Sequence, residues 1–363
     1  MIMKRIIYFL RYYRSLLRTK LKFKKPNKND ILLFDYTNEA LFKKLIKKKI
    51  EVLYIRLEEI NFYVLFMAIK SCGFFNLGKS YIKTYIEYVE PKVIITFNEL
   101  HGTFYLLKKL IKKNSFTIAI QDGYRTLPNF SSFNLMNIKD YEVDKILNFS
   151  RKDKKLYENI STSPKVVAGS FRNNFFKKIT NIKSKKILLI SQYRDEYKNN
   201  EKIKYFLREK KILDFLKIFC EKKNVKYLIV TKPGVSKNNY INAFNLQKNL
   251  EIISDLNFKK KYEIVDKSEV TIFADSSLGM EALSRGNKVI SFPFKPYFGV
   301  PKFFWSHKIN QDIFEKKLDL IYGMKINTWL KRINNKKEVF VRYNPGNTIL
   351  LNIIKKILKN KDE

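Results

Sequence analysis

Short apolar runs alternate with longer stretches of helical period along most of the chain. ILLFDY (31–36), EVLYIR (51–56), VIITFNE (93–99) and TIAIQDG (117–123) are apolar runs that end in polar residues. That pattern suits buried strands. VDKILNFS (143–150) and KVVAGS (165–170) add two more. Between them, a Lys-rich stretch, NFYVLFMAIKSCGFF (61–75), SYIKTYIEYVEP (80–91) and GTFYLLKKLIKK (102–113) read as helices. The second is apolar on nearly all sides, which predicts a core helix. The third stops at Pro91, which cannot continue a helix. Strands alternating with helices predict a parallel sheet covered on both faces.

FRNNFFKKITNIKSK (171–185) is polar and breaks this rhythm, which predicts a domain boundary near residue 182. The pattern then restarts with the strands KILLISQ (186–192), KYLIVTKPG (226–234), VTIFA (270–274) and KVISFP (288–293), and a long helix over 202–224. A last helix spans roughly 346–361. The expected organisation is a basic helix over 1–26, Rossmann-like halves over 27–182 and 183–345, and a closing helix over 346–363. Two such α/β halves describe the GT-B architecture, with a cleft between them.

Composition narrows the partners. The chain has 363 residues, 45% hydrophobic and 15% aromatic, enough for a real core. Lys and Arg number 73 against 34 acids, a net charge of +39. Such charge favours anionic partners; a bias toward Lys on solvated faces is the plainer explanation. No nucleic-acid module is recognisable, so nucleic acid is not expected as a partner. Cys72 and Cys220 lack metal-ligand spacing and read as reduced thiols of a cytoplasmic protein. With only His101 and His307, a His-rich metal site is excluded, and no metal is expected.

MIMKRIIYFLRYYRSLLRTKLKFKKP opens the chain, with basic residues interrupting each apolar run. No span reaches the ~18 apolar residues of a transmembrane helix. On a helix, Ile6, Phe9, Leu10, Tyr13 and Leu17 share one face, and Lys4, Arg11, Arg14 and Arg18 another. This predicts an interfacial helix that brings residues 4–25 to the anionic inner face of the plasma membrane. A helix docked on its own domain is the alternative.

FADSSLGMEALSRGNKVISFP (273–293) carries the sharpest chemical signal. Asp275, Ser276 and Ser277 would end a parallel strand and open a helix. Helix starts have unpaired N–H groups and a positive dipole end, which favour phosphate. Gly279 would let a ligand approach the backbone. Glu281, four residues after Ser277, could accept ribose hydroxyls. A plain Ser cap with a solvent-facing Glu281 is the alternative.

DSSLGMEALSRGNKVI (275–290) resembles the donor-nucleotide motif of bacterial GT-B glycosyltransferases. The order of Ile120–Gly123, Gly169–Asn174 and Glu281–Gly286 is similar to that of surface polysaccharide and O-antigen biosynthesis proteins. The resemblance implies that Ser276 and Ser277 hold the donor phosphate and Glu281 its ribose. TKPG (231–234) resembles the Lys-Pro-x-Pro loop of capsule and teichoic-acid transferases, although Gly234 stands where those carry His. Lys232 could still neutralise a diphosphate.

Ser191, Gln192 and Arg194 follow the first strand of the second half and are further donor-phosphate candidates. Ser170 and Arg172 could contact phosphate or sit in an interdomain hinge. In the first half, Glu99, His101 and Asp122 end adjacent strands and are candidates for the catalytic base, each able instead to cap a helix or turn. The expected protein is a metal-independent glycosyltransferase without cofactor. It would use a CMP- or UDP-linked sugar and a glycan or lipid-linked glycan acceptor. Alternatives are a CDP-glycerol-type polyol-phosphate transferase, a nucleotide-sugar epimerase of the same fold, and a non-enzymatic nucleic-acid-binding protein.

Overall fold

The computed structural model describes residues 19–56, 58–73, 76–111, 115–125, 142–159, 161–180, 184–197, 203–297, 301–334, 338 and 340–359. The chain divides into two compact units: Met1–Asn148 with Asp153–Phe171 and Gly346–Glu363, and Phe149–Lys152 with Arg172–Pro345.

The first unit holds β1 (Lys20–Lys22), β2 (Ile31–Phe34), β3 (Glu51–Leu53), β4 (Glu59–Asn61), β5 (Val93–Thr96), β6 (Phe116–Ile120), β7 (Lys145–Asn148) and β8 (Lys165–Val167). β1 and β4 pair as a separate parallel ribbon. The other six form one parallel sheet in the order β3-β2-β5-β6-β7-β8. β2 and β5 are buried at every position, as central strands covered on both faces must be. Alternate residues point to opposite faces. Leu32, Phe34 and Ile94 pack with Tyr85, Ile86 and Phe104. Ile31, Leu33 and Ile95 pack with Phe42, Phe171 and the C-terminal helix Thr348–Lys359, through Leu350, Ile354 and Leu358.

The second unit holds β9 (Ile187–Ile190), β10 (Tyr227–Val230), β11 (Ile252–Ile253), β12 (Val270–Phe273) and β13 (Val289–Ser291), parallel throughout in the order β11-β10-β9-β12-β13.

Several expectations need correction. Residues 1–18 of the expected N-terminal helix lie outside the described residues. Its last part is not helical, because Lys20–Lys22 bonds to β4 as a strand. The helix over 61–75 spans Phe62–Cys72 and buries only Val64 and Ala68, so it is not a core helix. The stretch 102–113 forms two short turns, Gly102–Tyr105 and Leu107–Leu110, rather than one helix. The chain leaves the first unit at Phe171–Arg172, not near 182, and returns at Pro345–Gly346. The polar segment that suggested a linker is bonded into the second unit. The guanidinium of Arg285 donates to the carbonyls of Asn173, Phe176 and Lys177, and Asp266 accepts from the Ile179 N–H.

Gly279 has a packing reason rather than a ligand one. A Cβ built on it would lie 2.2 Å from Cγ of Phe273, a fully buried residue of β12. The helix Ser277–Ser284 thus rests directly on that ring. Gly279→Ala should destabilise the second unit by about 1–3 kcal/mol through overpacking. The urea unfolding midpoint measures this, and an unchanged midpoint would show that the contact is not limiting.

Candidate functional site

The order of the second sheet reverses between β9 and β12, since β10 and β11 extend from one and β13 from the other. Crossover connections diverge at such a point and open a crevice at the carboxyl ends of the two strands. Ile190 pairs with Phe273, so the segments after both strands start side by side. One is Ser191–Arg194 and the other Ala274–Ser277.

Ser276 takes the N-cap position of the helix Ser277–Ser284 with extended backbone, and its side chain makes no capping bond. The first-turn N–H groups have no acceptor within the helix. Oδ2 of Asp275 accepts from the Phe294 N–H at 3.0 Å and ties this turn to the loop after β13. Burial raises the Asp275 pKa, opposed by that N–H and by Arg208 and Lys152. Arg208 lies over the Phe294 ring at 4.4 Å, and Tyr205 meets the same ring edge-on at 4.5 Å. Gln192, Tyr205, Ala274 and Phe294 line a small crevice at this edge.

Behind it sits Glu209, which sequence reasoning missed. Its Oε1 accepts from the hydroxyls of Ser191 and Tyr240, and its Oε2 from the Gln192 N–H at 2.9 Å. Burial raises its pKa while these donors oppose the rise. Ser191 is therefore an anchor for the loop, its hydroxyl donating a hydrogen bond to Glu209. Arg194 is half-exposed and pairs with Glu196 at 3.7 Å. Lys232 follows β10, one strand from β9, in a turn where its carbonyl accepts from the Val235 N–H at 3.1 Å. Glu281 is buried rather than solvent-facing, and its Oε2 accepts from Tyr262 Oη at 2.7 Å.

Ser170 is buried in the first unit, and Arg172 lies over the Phe258 ring at 4.7 Å in the second. The next two residues are structural. Asn173 Nδ2 donates to Ser284 Oγ at 2.9 Å, and Asn174 Oδ1 accepts from the Asn344 N–H at 2.7 Å.

The first sheet reverses between β2 and β5. Asp35 follows β2, fully buried, with φ of 86°. His101 follows β5, its ring 5.7 Å from that of Phe34 in an edge contact. Its Nδ1 is buried with no hydrogen-bond partner among the described residues. Burial lowers the His101 pKa; Asp35 raises it and Arg56 lowers it further. His101 also lines a cavity of about 580 Å³ walled by Leu53, Ile55, Ile60, Leu65 and Tyr81.

The three expected base candidates do not form one cluster. Glu99 is fully buried; Oε1 accepts from Arg125 Nε at 2.6 Å and Tyr157 Oη at 3.0 Å, and Oε2 from the Asp122 N–H at 3.2 Å. It holds the loop after β6 and has no open face for a substrate. Asp122 is half-buried, and its Oδ1 accepts from Asn38 Nδ2 at 2.9 Å. His101 faces the cavity instead. Among the described residues, no three His, Cys, Asp or Glu side chains are placed to hold a metal ion, and no helix is long and apolar enough to cross a membrane.

Over residues 118–358 the sequence matches a family described as "putative O-antigen biosynthesis protein". The chain belongs to that family. No curated protein matches its sequence. Its fold is similar to that of Staphylococcus aureus MnaA with UDP, at 13% identity and a TM-score of 0.56 over 94% of this chain and 97% of that one. It is also similar to Methanocaldococcus jannaschii UDP-GlcNAc 2-epimerase in complex with UDP-GlcNAc and UDP, at 14% identity and 0.53 over 92% and 99%. The wall teichoic acid polymerase TagF soaked with CDPG matches at 12% identity and 0.51 over 99% and 96%. These likenesses show the GT-B fold.

In this O-antigen family member, the overlooked polar residues had readable signals. Glu209 precedes the buried Ile212, Leu213 and Leu216 by three, four and seven residues, an acid on the apolar face of its helix. Asp35 ends an otherwise apolar strand. Arg285 sits inside the stretch that resembles a donor motif, yet it binds Asp266 and backbone carbonyls.

Arg125→Ala would leave Glu99 buried without its cation. The expected loss is roughly 3 kcal/mol, as for other broken buried pairs. Chemical unfolding measures it, and Glu99→Gln added to Arg125→Ala should recover part of the loss.

Proposed function

We propose that the chain is a GT-B glycosyltransferase of surface polysaccharide assembly, transferring a sugar from a CMP- or UDP-linked donor to a glycan or lipid-linked glycan. The observation that carries this reading is the Asp275–Ser277 turn. It opens the helix Ser277–Ser284 at the point where the second sheet reverses, beside Gln192. Membership of the O-antigen family supports the pathway.

In this mechanism the second unit takes the nucleotide. The first-turn N–H groups of Ser277–Ser284, the Ser276 hydroxyl and Lys232 meet the phosphate charge. Glu281, oriented by Tyr262, accepts the ribose hydroxyls. Tyr205 and Phe294 offer ring surface for the base. The first unit takes the acceptor in the cavity at His101. A neutral imidazole there removes the acceptor hydroxyl proton, the oxygen bonds to the anomeric carbon, and the nucleotide leaves with the bonding electrons. Asp122 is the second candidate for that proton. Nucleotide-sugar donors place the reaction on the cytoplasmic side.

Thermal shift against CMP, CDP, UDP, GDP and TDP tests the donor site. A ligand at a hundredfold over its dissociation constant stabilises the native state by about 2.7 kcal/mol. One or more of these nucleotides should do so, and Glu281→Gln should cost about 1.5–3 kcal/mol of that binding. A panel without any shift, or a variant that binds as the parent does, would sink the assignment. A nucleotide sugar isomerised without any acceptor would identify an epimerase instead.

His101→Ala should cut transfer by about 10²–10⁴ while nucleotide binding is unchanged. Because burial lowers its pKa, the base stays unprotonated on acidification through about 6.5 and the rate should fall only below that. Full turnover in His101→Ala would move the role to Asp122.

A further inference from the structure

Phe23 and Phe66 are 69% and 66% exposed, an unusual state for the most apolar ring. They are not scattered. Phe23 stacks on Phe62 with ring centroids 5.4 Å apart. Phe66 lies four residues after Phe62, on the same face of the helix Phe62–Cys72. Tyr63 on that helix meets Tyr88 at 5.5 Å, and Lys25 Nζ lies 4.7 Å over the Tyr88 ring. Leu21 of β1 is also exposed. One contiguous aromatic face therefore covers β1 and the helix after β4.

The same segments carry cations. Lys20, Lys24, Lys25 and Lys70 are exposed. Nearby acids are mostly occupied: Glu59 pairs with Lys22, Glu90 with Lys28 and Glu87 with Lys83, while Glu58 accepts from the Arg56 N–H. A contiguous exposed apolar patch marks an interaction surface. Lysine is depleted at protein interfaces, whereas rings ringed by lysine suit the headgroup zone of a bilayer. Single-stranded nucleic acid needs open ring faces to stack on. Phe23 and Phe62 stack on one another, so each has only one ring face left open.

We propose that this face of the first unit docks on an anionic phospholipid bilayer. The rings enter the headgroup layer, and the lysines meet lipid charge. The same helix lines the His101 cavity through Leu65, so a docked bilayer lies against one wall of that cavity. The proposal does not depend on the transferase reading, because its test needs no activity.

The test is co-sedimentation of the full chain with vesicles of phosphatidylcholine plus phosphatidylglycerol, against phosphatidylcholine alone. The parent should pellet with the anionic vesicles and release at raised salt. Phe23→Ser/Phe66→Ser should weaken partitioning roughly tenfold or more. Lys20→Glu/Lys24→Glu should weaken it similarly, and Phe23→Leu/Phe66→Leu should retain it. All sites are exposed, so unfolding midpoints should match the parent. Parental partitioning by both disruptive variants would overturn the proposal, as would loss only on deletion of residues 1–18. Equal binding to phosphatidylcholine alone would overturn it as well. A gel shift of RNA without vesicle binding would assign the face to nucleic acid instead.

Discussion

A parallel sheet delivers all of its outgoing loops to one edge. Both sheets here are parallel throughout, so that single constraint decides where chemistry can gather. In the first unit it brings Asp35, His101 and Asp122 to the ends of β2, β5 and β6. In the second it brings Gln192, Lys232 and the Asp275–Ser277 turn to the ends of β9, β10 and β12. Within each sheet, the reversal of strand order then selects one gap between neighbours. The residues that line a ligand are distant in sequence for this reason alone.

Loops at such an edge are polar, and polar loops wander unless something fixes them. Two buried carboxylates do so. Glu99 gathers Arg125, Tyr157 and the Asp122 N–H, and Glu209 gathers Ser191, Tyr240 and the Gln192 N–H. A third, Asp266, gathers Arg285, Asn287 and the Ile179 N–H at the opposite end of the second sheet, ahead of β12 and β13. Burying a carboxylate costs several kcal/mol, which several donors acting together offset. Removing one donor does not merely loosen a contact but leaves charge in a poor solvent. The result is a rigid frame beneath the residues of the candidate site.

The fold was legible because its signal is redundant. Ten of the eleven strands of the main sheets coincide with apolar runs that stand out by composition alone, all but the two-residue β11, and the Asp275–Ser277 turn is fixed by the strand before it and the helix after it. Short pairings were not legible. β1 and β4 are three residues each and mostly polar, so no period marks them. Roles were harder than places. Glu99 and Ser191 follow the expected strands and Gly279 lies in the first turn of the expected helix, yet each faces inward, toward Arg125, Glu209 and Phe273. A sequence shows that a polar residue follows a strand but not which way its side chain turns. That depends on partners such as Glu209, which sits 18 positions from Ser191.

The C-terminal helix adds a constraint of a different kind, on the order of synthesis. Leu350, Ile354 and Leu358 complete a core whose other members, from Ile31 to Phe171, emerge from the ribosome far earlier. The first unit to be translated is thus the last able to close. Until the final helix arrives, Phe42 and its neighbours wait with one flank uncovered, while the second unit, made wholly of intervening residues and Phe149–Lys152, already has its full sequence. The core of the N-terminal half is therefore completed only by residues translated after the whole of the second unit.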